Sequence, residues 1–273
     1  MNAQEEEIAA SNAPLLDHLL ELRQRLIRSV LAFLITSLIC FAFKEDILRW
    51  LLLPYQWAIK FSGGDPYSMK LQSIEVLETI LTKIKLAAFG GVILAFPVVA
   101  FQAYRFIAPG LYKNERMAFL PFLIAAPVFF VLGGAFVYYI VAPLILWFSL
   151  SQQLVPGSSV TIDFVVTISR YLSFMTWFIL AFGLVFQLPV VTSLLVRAGL
   201  LNAAMLASKR KWAIVAAFIV AAMISPGELL SMFGLALPII LLYEFSILLA
   251  RLIEKKRPAG VPDSDDDEEQ SQS

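Results

Sequence analysis

The sequence predicts an all-α, polytopic membrane protein with six transmembrane helices, on three observations. Six apolar runs divide its 273 residues. Hydrophobic residues make up 59% and charged residues 15%, where a soluble domain carries about a quarter charged residues. Most Lys and Arg fall in segments that would share one face of a bilayer, the pattern of cytoplasmic loops. Lipid offers backbone N–H and C=O groups no partners, so apolar runs of this length predict helices and not open sheet.

The spans are expected at about 26–43, 86–104, 117–146, 171–196, 212–224 and 229–249. Six crossings put both termini on one side. That side then holds Arg23, Arg25, Arg28, Arg105, Lys113, Arg116, Arg197, Lys209, Arg210, Lys211, Arg251, Lys255, Lys256 and Arg257, fourteen of the twenty-one basic residues. Basic residues near span ends set orientation, so both termini are expected in the cytoplasm.

Taken in order, residues 1–14 are acidic and polar and are expected to form a flexible tail. They lack a basic n-region, and no small-residue cleavage site follows the first run, so a cleaved signal peptide is not expected. The six-helix membrane domain is expected over 15–257. At its start Leu15, Leu19, Leu22 and Leu26 recur at helical spacing, an apolar stripe opposite a polar face of His18, Glu21, Arg25 and Arg28. The first span carries Cys40, the one cysteine, which excludes an intramolecular disulfide and a thiolate metal cluster.

An outer loop is expected over about 44–85, and cytoplasmic loops over about 105–116 and 197–211. The third run holds Pro121, Pro127, Gly133, Gly134 and Pro143 and should be kinked or tilted. Pro97, Pro189 and Pro238 interrupt the second, fourth and sixth runs, which predicts a curved, non-parallel bundle.

The fifth run gives roughly 20 Å of helix against a hydrocarbon core of about 30 Å. Either the bilayer thins beside it and the Ser225-Pro226-Gly227 reversal lies below the surface, or the helix extends back through Lys209 and Lys211 with snorkelling side chains. Residues 258–273, with the run from Asp265 to Glu269, are expected to be a disordered acidic tail.

The sequence contains no Walker-type phosphate loop, HExxH, GxSxG or GxGxxG, so the familiar hydrolase, nucleotide and zinc chemistries lack their minimum parts. No catalytic residue, metal, cofactor or nucleic-acid partner is expected. The polar residues near or within the spans carry the functional information. Gln187 facing lipid would cost on the order of several kcal/mol, so it should face protein or a wet cavity, or else satisfy carbonyls freed by Pro189. Glu244 should pair with Arg251 or a neighbouring loop, or be protonated. Glu228 is placed to offset the positive N-terminus of the sixth helix.

Two acids on the basic face, Glu21 and Glu115, are candidates to grip a cation or a cationic peptide between them. Each also has a purely structural role open to it. Glu21 stands four residues before Arg25, a favourable helical pair, and Glu115 follows Asn114 at a helix start.

The order His18-x-x-Glu21-Leu22-Arg23, then Tyr104-x-Phe106-Ile107-Ala108-Pro109-Gly110-Leu111-Tyr112-Lys113-x-Glu115-Arg116, then Tyr171-Leu172-Ser173-Phe174 and Ala181-Phe182-Gly183 with Pro189 resembles the TatC family. Ser225-Pro226 and Pro238-x-x-x-x-Tyr243-Glu244 complete the pattern. TatC is the multispanning receptor subunit of the twin-arginine protein translocase.

The resemblance implies a concave six-helix bundle in the bacterial cytoplasmic (inner) membrane. It implies recognition of twin-arginine signal peptides on folded cargo, partnership with TatA- and TatB-type single-span subunits, self-association in a receptor complex, and energy from the proton-motive force. Carried over by motif, Glu21 and Glu115 contact the consecutive arginines with Arg23 and Phe106 in the same patch, and Pro54, in the first outer loop, is important for activity. Gln187, Pro54 and Glu228 fall at partner-facing or concave-face positions.

Two departures stand out. Position 187 is often Glu in relatives, and the outer hairpin here reads Gly227, Glu228 and Met232 where relatives often show Pro-Asp and a following Gln. The alternative from another class is a proton- or ion-coupled transporter of a small solute. It would call for inverted repeats and paired midplane charges.

Overall fold

The computed structural model describes residues 3–63, 71–72, 77–107, 120–151, 166–224 and 229–255. Among these are ten α-helices: α1 (Ala3–Ala42), α2 (Lys44–Phe61), α3 (Glu78–Ile107), α4 (Leu120–Phe136), α5 (Ala142–Ser151), α6 (Ile168–Val185), α7 (Leu188–Arg197), α8 (Ala203–Ser208), α9 (Arg210–Ile224) and α10 (Leu229–Lys255). Two short strands, β1 (Leu71–Gln72) and β2 (Val166–Thr167), pair in parallel with Leu71 opposite Val166. The all-α membrane fold read from the sequence is the one observed.

Five helical stretches are long and apolar enough to cross a membrane: Leu19–Ala42, Ile80–Phe106, Pro121–Ser151, Ile168–Arg197 and Met232–Lys255. The remaining expected span is α9, whose 15 residues give about 22 Å at 1.5 Å per residue, short of the hydrocarbon core. It starts at Arg210, and a turn at Lys209 separates it from α8, so α9 extends back by two residues from the expected start and no further.

Other boundaries also differ from expectation. α1 begins at Ala3, through the segment expected as a tail, where Gln4, Glu5, Glu6, Glu7, Ala9 and Ala10 are strong helix formers. The outer segment expected as a loop contains α2, with Glu45 and Asp46 in its first turn and a buried face of Leu51, Pro54, Tyr55, Ala58 and Ile59. α3 starts at Glu78, eight residues before the expected span.

The third span is broken as its prolines demand. Between α4 and α5 the chain makes a π-helical turn over Val137–Val141, where Ala142 N–H donates to the Val137 carbonyl. Pro143 has no N–H and its ring crowds the carbonyl four residues earlier, so the wider turn relieves a contact that a regular helix would force.

Glycines set the closest approaches. α1 packs along α3 more extensively than any other helix pair. A Cβ on Gly90 would overlap Cys40 Sγ, one on Gly91 would overlap Ser37, and the Thr36 hydroxyl donates to the Gly91 carbonyl at 2.9 Å. α4 meets α6 through Gly133, where a Cβ would lie 2.5 Å from the Phe182 carbonyl oxygen, and through Gly183, which faces the Phe130 ring. Small residues that bring backbones together are the expected source of packing where lipid supplies no hydrophobic drive. The main core lies among Leu86, Val137, Met175, Phe178, Phe182 and Leu235. A second cluster joins Val196, Ala203, Leu206, Ile247 and Ala250.

Where α2 meets the start of α3, Glu45 pairs with Lys83 at 2.9 Å. The buried Glu78 accepts from Ser169 N–H at 3.2 Å, so a carboxylate at the start of α3 caps the start of α6.

Gly133→Ala should destabilise the protein by about 1–3 kcal/mol, since backbone cannot rotate away as a side chain can. Gly234→Ala, with nothing within 4 Å of the added carbon, should be neutral or stabilising in the same thermal unfolding measurement. A hydrogen bond and the charge of Lys83 hold the Glu45 carboxyl below its ordinary range. Its stabilisation is present above the unfolded value of about 4.3 and is lost as pH falls through the lower folded value. Lys83→Met should therefore reduce the stability difference between pH 6 and pH 3 in a denaturation series.

Candidate binding site at the basic end of the bundle

α1 and α3 run antiparallel, and their register is fixed where Ser37 meets Gly91. Fifteen residues from that contact along each helix bring Phe106 level with Leu22. The Glu78 cap puts the starts of α3 and α6 together, so the far end of α6–α7 shares the level of Phe106. Arg23, Arg25, Arg28, Arg105 and Arg197 therefore gather at one end, and α8, the start of α9 and the end of α10 join them through contacts described below. The helix packing thus gathers at one end the described members of the basic face expected from the sequence, and Lys113, Arg116, Lys256 and Arg257 lie outside the described residues.

On that face Glu21 is part-buried in α1, and Arg25 donates to its Oε1 from Nε at 3.1 Å and, more closely, from a terminal guanidinium nitrogen. The side chains are 34% and 13% exposed. The helical pair allowed by the sequence is thus formed. It occupies part of the accepting capacity of a carboxylate, which has about four lone-pair sites. Arg23 is exposed, and Phe106 is part-buried in the last turn of α3, where the Arg105 guanidinium lies 5.4 Å from the centre of the Phe101 ring. Leu19, Leu22 and Leu26 of the expected stripe are exposed along α1, as suits lipid, and the side chains of Leu15 and His18 lie outside the described residues. Glu115 and Glu228 lie outside the described residues.

Gln187 sits apart from this patch, buried between two helices. α6 ends at Val185, and Gln187 N–H turns to the Leu184 carbonyl, leaving the Gly183 carbonyl without its regular helical donor. The Gln187 amide donates to that carbonyl at 3.4 Å and to the Ala126 carbonyl of α4 at 3.0 Å. The side chain faces protein, as its cost in lipid required. The carbonyls it serves are Gly183 and Ala126, rather than the Val185 carbonyl that Pro189 frees.

Pro54 lies at the opposite end, fully buried in α2. It is not brought to the Glu21 patch. Tyr138 and Tyr171 hydroxyls donate to the neighbouring Trp50 and Leu51 carbonyls, each at 2.6 Å.

Sequence reasoning left the partner of Glu244 open, and the structure supplies Arg210 rather than Arg251. A terminal guanidinium nitrogen of Arg210 donates to Oε2 at 2.9 Å, and Nε lies 2.8 Å from Oε1 as an ion pair without hydrogen-bond alignment. Around this pair Glu254 accepts from Ala203 N–H, Asn202 caps α8 through Met205 N–H, and the Tyr243 hydroxyl donates to the Leu206 carbonyl. The Glu254, Tyr243 and Glu244 bonds fasten α10 to α8 and α9; Asn202, a good N-cap residue before an apolar run, signalled the start of α8, and the cost of an unpaired acid signalled a partner for Glu244.

The profile of the TatC family, Sec-independent protein translocase protein, matches residues 17–238. The Sec-independent protein translocase protein TatC of Magnetococcus marinus is 42% identical over 245 residues, covering 90% of this chain and 86% of that one. The TatC protein of Aquifex aeolicus is 40% identical over 247 residues, covering 89% and 97%. A crystal structure of a twin-arginine translocase receptor, TatC, superposes with a TM-score of 0.74 at 38% identity, covering 87% of this chain and 99% of that one. With its multi-pass helical architecture, the chain belongs to the TatC family of Sec-independent protein translocase components.

Proposed function

We propose that this protein is the receptor and core subunit of a twin-arginine translocase in the bacterial cytoplasmic (inner) membrane, with both termini in the cytoplasm. It binds twin-arginine signal peptides of folded cargo through Glu21 and Glu115, with Arg23 and Phe106 in the same patch. It assembles with TatA- and TatB-type single-span subunits and with further copies of itself, and export draws on the proton-motive force without catalytic turnover. Gln187 and Glu228 belong to the concave or partner-facing side.

The observation that carries this reading is the position of the Glu21 carboxylate, part-buried at the basic end and level with the last turn of α3. Glu115 follows the end of α3 by eight residues in sequence, and the family resemblance assigns it to the same patch. Glu21 already accepts a guanidinium, that of Arg25, so the site's chemistry suits arginine. A guanidinium presents a planar fork that a carboxylate accepts bidentately, and an ammonium cannot reproduce it. Each charge-assisted contact is worth about 1.5–3 kcal/mol, which corresponds to roughly 10- to 150-fold in affinity.

Glu21→Ala or Glu115→Ala should reduce photocrosslinking of an Arg-Arg signal peptide at least about tenfold while leaving membrane insertion intact. A Lys-Lys peptide should crosslink weakly to the parent protein and be little affected by either substitution. Full crosslinking in correctly inserted variants would remove Glu21 and Glu115 from the site. Cysteine accessibility in oriented vesicles should label position 21 from the cytoplasmic side only, and labelling from the other side would reverse the proposed orientation.

A further inference from the structure

α2 contains Pro54 in its interior. Having no N–H, Pro54 cannot donate to the Trp50 carbonyl four residues earlier, and its ring pushes that carbonyl outward. The Tyr138 hydroxyl takes the vacated position, donating to the Trp50 oxygen at 2.6 Å across 88 residues of sequence. The Tyr171 hydroxyl of α6 donates to the adjacent Leu51 carbonyl at the same distance.

Tyr138 is itself placed by a second irregularity. It lies in the π-helical turn over Val137–Val141, attributed above to Pro143. Trp57 of α2 meets the Tyr138 ring edge-on at 5.7 Å and stacks on Tyr139 at 5.7 Å. Two helices with irregular hydrogen-bond ladders therefore face each other, α2 offering an orphaned acceptor and the π-helical turn a donor. Among the described residues, the carbonyls freed by Pro97, Pro127 and Pro238, at Ile93, Leu123 and Gly234, are not met by a side-chain donor.

We propose that Pro54 and Tyr138 work as one latch: the proline exists to expose the Trp50 carbonyl, and the tyrosine hydroxyl uses it to fix α2 against the middle of the third span. Tyr138 is thereby a positioning residue for the outer end of the bundle, and Tyr171 secures the next carbonyl along. The importance that the family resemblance assigns to Pro54 is explained without any contact between the proline and a partner.

A double-mutant cycle on the full chain in nanodiscs tests this. Tyr138→Phe should lower the Tm by about 3 °C in the parent. In a Pro54→Ala background, where residue 54 regains an N–H for Trp50, the same change should have little effect, and Tyr139→Phe should be neutral in both. An equal loss from Tyr138→Phe in the two backgrounds would overturn the latch. If Pro54→Ala does not accumulate, infrared spectra with carbonyl-labelled tryptophan serve instead. Tyr138→Phe should then move one tryptophan carbonyl band to higher frequency, and an unmoved band would refute the bond. The same non-additive pattern is expected in export of a twin-arginine cargo. That assay rests on the proposed function, whereas the stability cycle and the infrared band do not, so failure of one can be told from failure of the other.

Discussion

Backbone polar groups have no solvent inside a bilayer, and that single constraint organises this molecule. An unbroken helix answers it automatically, but this chain departs from the regular ladder over Val137–Val141 and between α6 and α7 at Phe186 and Gln187, and beside the spans Pro54 removes one rung from the continuous helix α2. Several of the backbone groups so released find other partners. Tyr138 serves Trp50, Ala142 N–H shifts to Val137, and the Gln187 amide serves Gly183 and Ala126. The irregularities at Trp50 and Gln187 are thus places where distant segments become hydrogen-bonded to one another.

Close approach between helices complements this arrangement. Gly90 and Gly91 let α3 come against Cys40 and Ser37, and Gly133 lets α4 reach the Phe182 backbone. In water such contacts would be a minor addition to hydrophobic burial, but lipid tails compete for apolar surface on equal terms, leaving contact density and hydrogen bonds to decide which helices associate. The long exposed apolar face of α1, from Leu26 to Ile39, is what remains when one helix contacts essentially a single neighbour and lipid does the rest.

The sequence was legible to the extent that its physics is local. Apolar length located five of the spans, and the brevity of α9 and the break in the third span were apparent from spacing and proline alone. α2 was missed because its charged first turn and central proline resemble a loop, although Leu51, Tyr55, Ala58 and Ile59 recur at helical spacing once its buried face is known. The Glu21–Arg25 pair was legible because it spans one helical turn. Glu78 with Ser169, Arg210 with Glu244 and Tyr138 with Trp50 were not, since each depends on which helices become neighbours. Gln187 stands between these cases. Its burial followed from the cost of an amide in lipid, yet its acceptors could not be named until α4 was placed beside it.

The pairing of Glu21 with Arg25 bears on selectivity in a way that a bare carboxylate would not. An intramolecular guanidinium holds the Glu21 side chain in place at 34% exposure, so under the proposed function an incoming arginine would meet an oriented acceptor and spend less rotamer entropy in fixing it. The same neighbour sets a threshold. A ligand cation would have to share the carboxylate with the positive charge of Arg25 one helical turn away. A point-charge ammonium gains little geometry in return, whereas a guanidinium recovers the cost through two aligned hydrogen bonds. Surplus positive charge around the acid therefore acts against weak cationic ligands first, which is how a basic surface can come to prefer the most strongly hydrogen-bonding cation available.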